Sequence, residues 1–205
     1  MNDQNKVFIS YRRSVSQDRA LLIFHKLRER DYDVFLDVNT IDSGAFDRII
    51  INQIAARPHF LLILSPGSLE RCANEGDWLR QEIEEAFRLK RNIVPVFDER
   101  FDIEIEKQYL PEPLRSELPR LNAPPFSHYY LDAFIETIST RFLKPPVYQI
   151  PITATPQAEQ AEVQRRIDRI TQVSDFPLPA QRLGDGVRAD ADAVRAIIGE
   201  PFEWC

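Results

Sequence analysis

The sequence predicts an α/β domain, a flavodoxin-like, doubly wound sheet of five parallel strands with helices on both faces. Two observations carry this. Short apolar runs alternate along the chain with stretches whose apolar residues recur at helical spacing. The runs are continuously apolar rather than alternating, as strands buried on both faces must be. A small, mostly helical or irregular extension is expected at the C-terminus.

The elements follow in order. Lys6 to Tyr11, KVFISY, has the size of a buried strand, and Arg12 and Arg13 come directly after it. Ser14 to Gln17 fits a capping box, Ser-x-x-Gln, opening a helix with Ala20, Ile23, Phe24 and Leu27 on its apolar face. That helix gives way near Asp31 to a second strand, Asp33 to Asp37. Val38 to Gly44, VNTIDSG, is a loop by its Asn, Asp, Ser and Gly content. Phe46, Ile49, Ile50 and Ile54 mark the next helix. Pro58 breaks the chain ahead of a very apolar third strand, His59 to Ser65, and Pro66 to Gly76 is the loop after it. A helix starting near Trp78 carries the stripe Leu79, Ile83, Ala86 and Phe87. Asn92 to Phe97 is the fourth strand.

Residues 98–124 are charged and proline-rich, with at most short helices expected. Phe126 to Tyr130 is the candidate fifth strand, and Leu131, Phe134, Ile135, Ile138 and Phe142 form a periodic last helix. Lys144-Pro145-Pro146 marks a boundary, giving a domain over 1–144 and a proline-rich linker with an extension over 145–205. In the extension Ala158 to Val173 reads as a polar helix. Its apolar positions Ala161, Val163, Ile167 and Ile170 are too sparse for an independent core. The ending EPFEWC suggests a chain cut short, with the extension leading toward a further domain.

Composition removes several function classes. The formal charge of −6 argues against nucleic-acid binding as the main activity. No run approaches the roughly 18 apolar residues of a membrane span, and MNDQNK has no apolar stretch behind it, so no membrane anchoring and a cytoplasmic location are expected. Cys72 and Cys205 make no disulfide framework, and isolated histidines make no metal site.

Chemistry is expected where the loops converge. In open parallel sheets, ligands bind beyond the carboxyl ends of the strands. Ser10 to Arg13, Asp37 to Gly44 and Ser65 to Asp77 all fall there, and the Trp78 helix begins at the same edge. Trp78 and Glu82 are four apart and share one helical face, flanking the apolar stripe. Both are expected at the rim of the packed surface, where a carboxylate beside an indole can hold a sugar or a nucleotide. An ordinary amphipathic helix, solvated arginines and an Asp37 that merely caps a turn are the plainer alternatives. A phosphoacceptor receiver needs acidic residues after the first strand and an aspartate ending the third. These positions read Tyr11-Arg12-Arg13 and Ser65-Pro66 instead. A flavin phosphate loop, G-x-G-x-x-G, a P-loop and a placed Ser/His/Asp triad are all absent.

The text VFISYRR (7–13), DVFLDVNTIDSGAFDRII (33–50), LLILSPGSLERC (61–72), DWLRQEIEEA (77–86) and NIVPV (92–96), in this order and spacing, resembles the TIR (Toll/interleukin-1 receptor) domain family, particularly its bacterial members. The resemblance covers residues 5–143 and does not reach the tail. It implies a five-stranded parallel sheet and, in many members, cleavage of NAD at the nicotinamide–ribose bond. It implies a catalytic glutamate in a Trp-x-x-x-Glu arrangement, here Glu82 with Trp78. By the same resemblance Ser10, Tyr11, Arg12 and Arg13 line the nucleotide side of the pocket. Segment 37–44, with Asp37, Ser43 and Gly44, matches a mobile loop used at the pocket and in self-association. Ser65 begins the third loop of the set.

Loss of nicotinamide leaves an oxocarbenium-like ribose that one carboxylate can stabilise. The leaving group is cationic and needs no general acid, so one glutamate suffices, with NAD as substrate and no cofactor or metal. Hydrolysis and cyclisation, or transfer to another base, stay open, because water access decides between them. The alternative from a different class is a non-catalytic TIR scaffold that only binds partners through TIR–TIR contacts. The glutamate favours the enzyme. Antiphage defence is preferred over a host-directed effector role on family analogy.

Overall fold

The computed structural model describes residues 5–36, 45–124, 126, 128–144 and 151–172. Its sheet has four parallel strands among these residues: β1 (Lys6–Tyr11), β2 (Asp33–Leu36), β3 (His59–Leu64) and β4 (Asn92–Phe97). Their order is β2-β1-β3-β4. The chain steps one way from β1 to β2 and the other way to β3 and β4. The order therefore reverses at β1 and β3, and the crevice beyond their carboxyl ends is where such sheets take ligands.

The apolar runs are strands because both faces are covered. Val7, Phe8 and Ile9 of β1 and every residue of β3 are buried. The register sets Phe8 opposite Phe35 on one side and Phe60 on the other, and the rings stack at 5.5 Å in both pairs. Pro95 lies within β4, opposite Leu62. It is tolerated there because β4 is the outer strand of the described sheet, and a proline has no N–H to give an inner ladder.

Three long helices follow the first three strands: α1 (Arg13–Arg28), α2 (Ala45–Ala55) and α3 (Trp78–Arg88). The capping box expected at Ser14 does not start α1. The helix begins at Arg13, with Arg12 at the N-cap position and no side-chain cap. α3 has a local cap: the Asp77 carboxylate accepts the Arg80 N–H at 3.2 Å.

Residues 98–124 form the short pieces expected, α4 (Ile103–Glu106) and α5 (Leu114–Glu117), with 3₁₀ turns after each. The expected strand at Phe126 to Tyr130 is corrected: His128–Tyr130 is a 3₁₀ turn leading into α6 (Leu131–Thr137). Phe126 is buried edge-on against Phe134, at 5.0 Å between ring centroids, but Tyr129 and Tyr130 are exposed. A strand covered on both faces could not leave two tyrosines in solvent. α6 continues as a π-helical turn over Ile138–Phe142.

The last described helix is α7 (Gln157–Gln172). The chain divides into compact units 1–168 and 169–205, and of the second only residues 169–172 are described. Within the first unit, residues 151–168 are fastened to the last turns of α2. The Thr153 N–H donates to the Ala55 carbonyl at 3.0 Å, Gln53 Nε2 donates to Thr155 Oγ1 at 3.1 Å, and Asn52 Nδ2 donates to both Glu159 oxygens at 2.9 and 3.0 Å. Val163 and Ile167 are buried. Two of the four sparse apolar positions of this helix are thus sealed from water within the first unit, while Ala161 is exposed.

Candidate functional site

The site is built at the carboxyl ends of β1 and β3. Ser10 is the second-last residue of β1, and its hydroxyl donates to Glu82 Oε2 at 2.5 Å. Glu82 stands one turn into α3 and is 5% exposed. The rim position expected for it is therefore corrected. The helical pattern put Glu82 beside the apolar stripe, but the end of β1 covers it, so the carboxylate is held inside. Trp78, on the same face one turn earlier, does lie at a rim, 38% exposed.

Arg12 comes two residues after Ser10 and is buried. Its Nη1 and Nη2 donate to the two Asp77 oxygens at 2.7 and 2.8 Å, and its Nε donates to the Ser68 carbonyl at 2.9 Å. Nη2 also lies 3.6 Å from Cys72 Sγ, and that thiol is 3.4 Å from Asp77 Oδ1. Such a bidentate fork fixes orientation as well as distance. Burial opposes the charge on both members, yet each outweighs that penalty for the other. Arg12 is held above its ordinary value and the Asp77 carboxyl below its own. Burial, with the charge of Asp77 beside it, pushes the Cys72 thiol up to about 12.

The loop after β3 is pinned around this pair. Ser65-Pro66-Gly67-Ser68 is a tight turn closed by the Ser68 N–H on the Ser65 carbonyl at 2.9 Å. Gly67 has φ +83°, the left-handed conformation that a turn with proline second and glycine third requires. Glu106 of α4 accepts the N–H groups of Gly67 and Leu69 at 2.5 and 2.9 Å. On the other side Ser16, in the first turns of α1, donates to Ser65 Oγ at 3.0 Å and lies 3.3 Å from Ser68 Oγ.

Of the residues named from sequence, Ser10 and Glu82 are in direct contact, and Arg12 reaches the residue before Trp78. Ser65 joins through Ser16 and Ser68. Tyr11, half-buried, ends β1 opposite Ile63, and Arg13 is exposed at the start of α1. Asp37, Ser43 and Gly44 lie outside the described residues. Sequence reasoning passed over Asp77, Ser16, Ser68, Cys72 and Glu106 as members of the network. Asp77 alone left a signal, as an aspartate placed directly before a helical stripe. Among the described residues no group of three or more His, Cys, Asp or Glu is set to hold a metal ion. No described helix is long and apolar enough to cross a membrane.

The chain is similar in sequence to known proteins. The chain is 36% identical over 146 residues to the NAD(+) hydrolase tir-1 of Caenorhabditis elegans. It is 39% identical over 142 residues to the NAD(+) hydrolase sarm1 of Drosophila melanogaster, and 36% over 141 residues to the NAD(+) hydrolase SARM1 of Danio rerio. These alignments take in 70%, 67% and 67% of this chain but only 15%, 10% and 19% of the relatives, so the chain spans less than a fifth of their length. The TIR domains of the activated Roq1 resistosome align over 94% of this chain and 99% of that one, at 14% identity and a TM-score of 0.40, a likeness too loose to bear on function or assembly. The sequence model of the TIR domain matches residues 7–124, more than half of the chain, and the protein belongs to the TIR domain family.

Proposed function

We propose that this TIR domain cleaves NAD at the bond between nicotinamide and ribose, with Glu82 as the catalytic carboxylate. The observation that carries the reading is the buried Glu82 carboxylate, held by Ser10 at the β1/β3 crevice. The names of the three animal relatives support it. In the reaction the ribose C1–nitrogen bond breaks, and its electron pair neutralises the pyridinium as nicotinamide leaves. The ribose becomes oxocarbenium-like, and the nearby negative charge stabilises it more than it stabilises the substrate. Water then bonds to C1 and loses a proton, giving ADP-ribose; attack by the adenine of the same molecule gives a cyclic product instead. The step balances with NAD and water, so we propose no cofactor. In this reading Ser10 orients the carboxylate, and Trp78 forms an apolar wall beside it.

The setting we propose is activation by self-association, in bacterial antiphage defence, with residues 145–205 as a linker and regulatory extension. The resemblance of the loop and strand motifs supports that setting. The decisive experiment incubates the full chain with NAD and separates the products by chromatography, over protein concentrations from nanomolar to high micromolar. Nicotinamide release that needs Glu82, with specific activity rising as concentration rises, is the expected result. No release at any concentration leaves the chain a TIR scaffold.

A further inference from the structure

We propose that Arg12 and Asp77 act as a positioning pair that registers Glu82 against Ser10, and that Arg12 does not contact the substrate. This rests on the reading of Glu82 as the catalytic carboxylate. The family resemblance puts Arg12 among residues lining the nucleotide side of the pocket, and its neighbour Arg13 is exposed there. The geometry divides the two arginines. The Arg12 guanidinium is already met by both Asp77 oxygens, by the Ser68 carbonyl and by the Cys72 sulfur, inside the protein. A guanidinium that turned toward a nucleotide would leave the nearly inaccessible Asp77 carboxylate with only the Arg80 N–H, the Cys72 thiol and the exposed Arg71 side chain 3.8 Å away, a costly state for a buried charge.

Two ties join the end of β1 to the start of α3: Ser10 to Glu82, and Arg12 to Asp77. Ser10 and Arg12 are two residues apart, about 6.6 Å along an extended chain. Asp77 and Glu82 are five apart, about 7.5 Å along a helix. The spacings match, with α3 running back against the direction of β1. The buried apolar face of α3, Leu79, Ile83 and Ala86, holds the helix on the domain but carries no directional bond, and one polar tie alone would leave its fine rotation unset. Two ties fix both its depth and its rotation, and so the direction of the Glu82 carboxylate. The pair is placed to do this because Asp77 is also the N-cap of α3, so the charge of Arg12 is applied to the helix's first turn.

The test uses the full chain with Trp204→Phe, which leaves Trp78, the residue following Asp77, as the only tryptophan. Arg12→Lys keeps the charge and loses the fork. Asp77→Asn keeps the helix cap and loses the charge. NAD turnover and Trp78 emission are measured for each single variant and for the double. If the pair positions Glu82, each single variant lowers kcat at least about tenfold with KM within about threefold. Each also shifts Trp78 emission, and the double variant is no worse than the worse single, because the two act as one unit. A raised KM for Arg12→Lys, with Asp77→Asn unaffected, makes Arg12 a ligand and overturns the proposal. So do additive effects, or a lowered melting temperature with kcat and emission of the folded protein unchanged. If Arg12→Lys fails to fold, Asp77→Asn decides alone by its kcat and emission. If the unmutated chain releases no nicotinamide, the NAD reading fails by itself, and coupled shifts in Trp78 emission still decide whether the pair sets α3.

Discussion

Ser10 and Glu82 are 72 positions apart in the chain, and the Ser10 hydroxyl meets the Glu82 carboxylate at 2.5 Å. One side chain stands next to the end of the inner strand β1 and the other one turn into α3. The contact brings a buried carboxyl group to the sheet's switch point and ties one of its oxygens to the end of β1.

Glu82→Gln should test whether a charge is needed there. The amide oxygen can still accept from Ser10, so size and packing persist while the charge is lost. We expect near-normal folding and NAD turnover lowered by about a hundredfold, the usual cost of losing one electrostatic partner of a transition state. KM should change far less. Ser10→Ala keeps the charge and frees its direction, and should cost less, about tenfold in kcat. Steady-state kinetics on both variants checks this; near-normal kcat in Glu82→Gln would remove that residue from the mechanism.

The Arg12–Asp77 pair should shape acid stability. Burial opposes ionisation of Asp77, but Arg12 prevails and holds its folded pKa below the ordinary carboxylate value. A depressed folded value means that the unfolded chain binds the proton first as pH falls. The contribution is therefore fully present above about pH 4 and is lost below it, as pH drops through the folded value. Asp77→Asn should be less stable at neutral pH by about 3 kcal/mol, since it leaves Arg12 buried without its counter-charge. The two urea-unfolding midpoints should converge below about pH 4. Curves that stay parallel down to that range would show that the pair adds no acid-sensitive stability.

Cys72 should be inert in the folded protein. Its thiol is buried and pushed up to about 12, so the thiolate that an alkylating reagent needs is scarce at neutral pH. Iodoacetamide at neutral pH, followed by peptide mass spectrometry, should find Cys72 unmodified until denaturant is added. Rapid labelling without denaturant would mean that the loop after β3 opens freely and that its pins are weak.

A chain ending at Lys144 should keep its sheet but melt lower. It loses the burial of Val163 and Ile167 and the hydrogen bonds from Asn52, Gln53 and Thr153. Each of the two side chains contributes about 2 kcal/mol at most. A cooperative melt displaced downward by several degrees is the expected calorimetric result. An unchanged melting temperature would show that residues 151–168 add nothing to the domain.

The sequence by itself determined the four described strands, the order of the elements they alternate with and the sheet edge at which Ser10, Arg12 and the loop after β3 meet. Strands buried on both faces must be apolar throughout, and runs such as HFLLIL carry that demand locally. It also put Glu82 and Trp78 on one helical face, because four-residue spacing on a helix is local information, while their candidacy as a site came from the loops in front of them and from the family resemblance. Only the tertiary structure decided the rest. That Glu82 is buried rather than at a rim depends on a strand end 72 residues away. That Arg12, the N-cap residue of α1, is buried rather than solvated depends on Asp77, 65 residues on. The run after Phe126 reads as a strand until its two tyrosines meet solvent. The start of α7, too sparse to stand alone, is held at Glu159 by the end of α2. Local periodicity specifies which face of an element is apolar. Which polar group ends up against another, and whether it is sealed from water, is set by how the chain brings distant segments together.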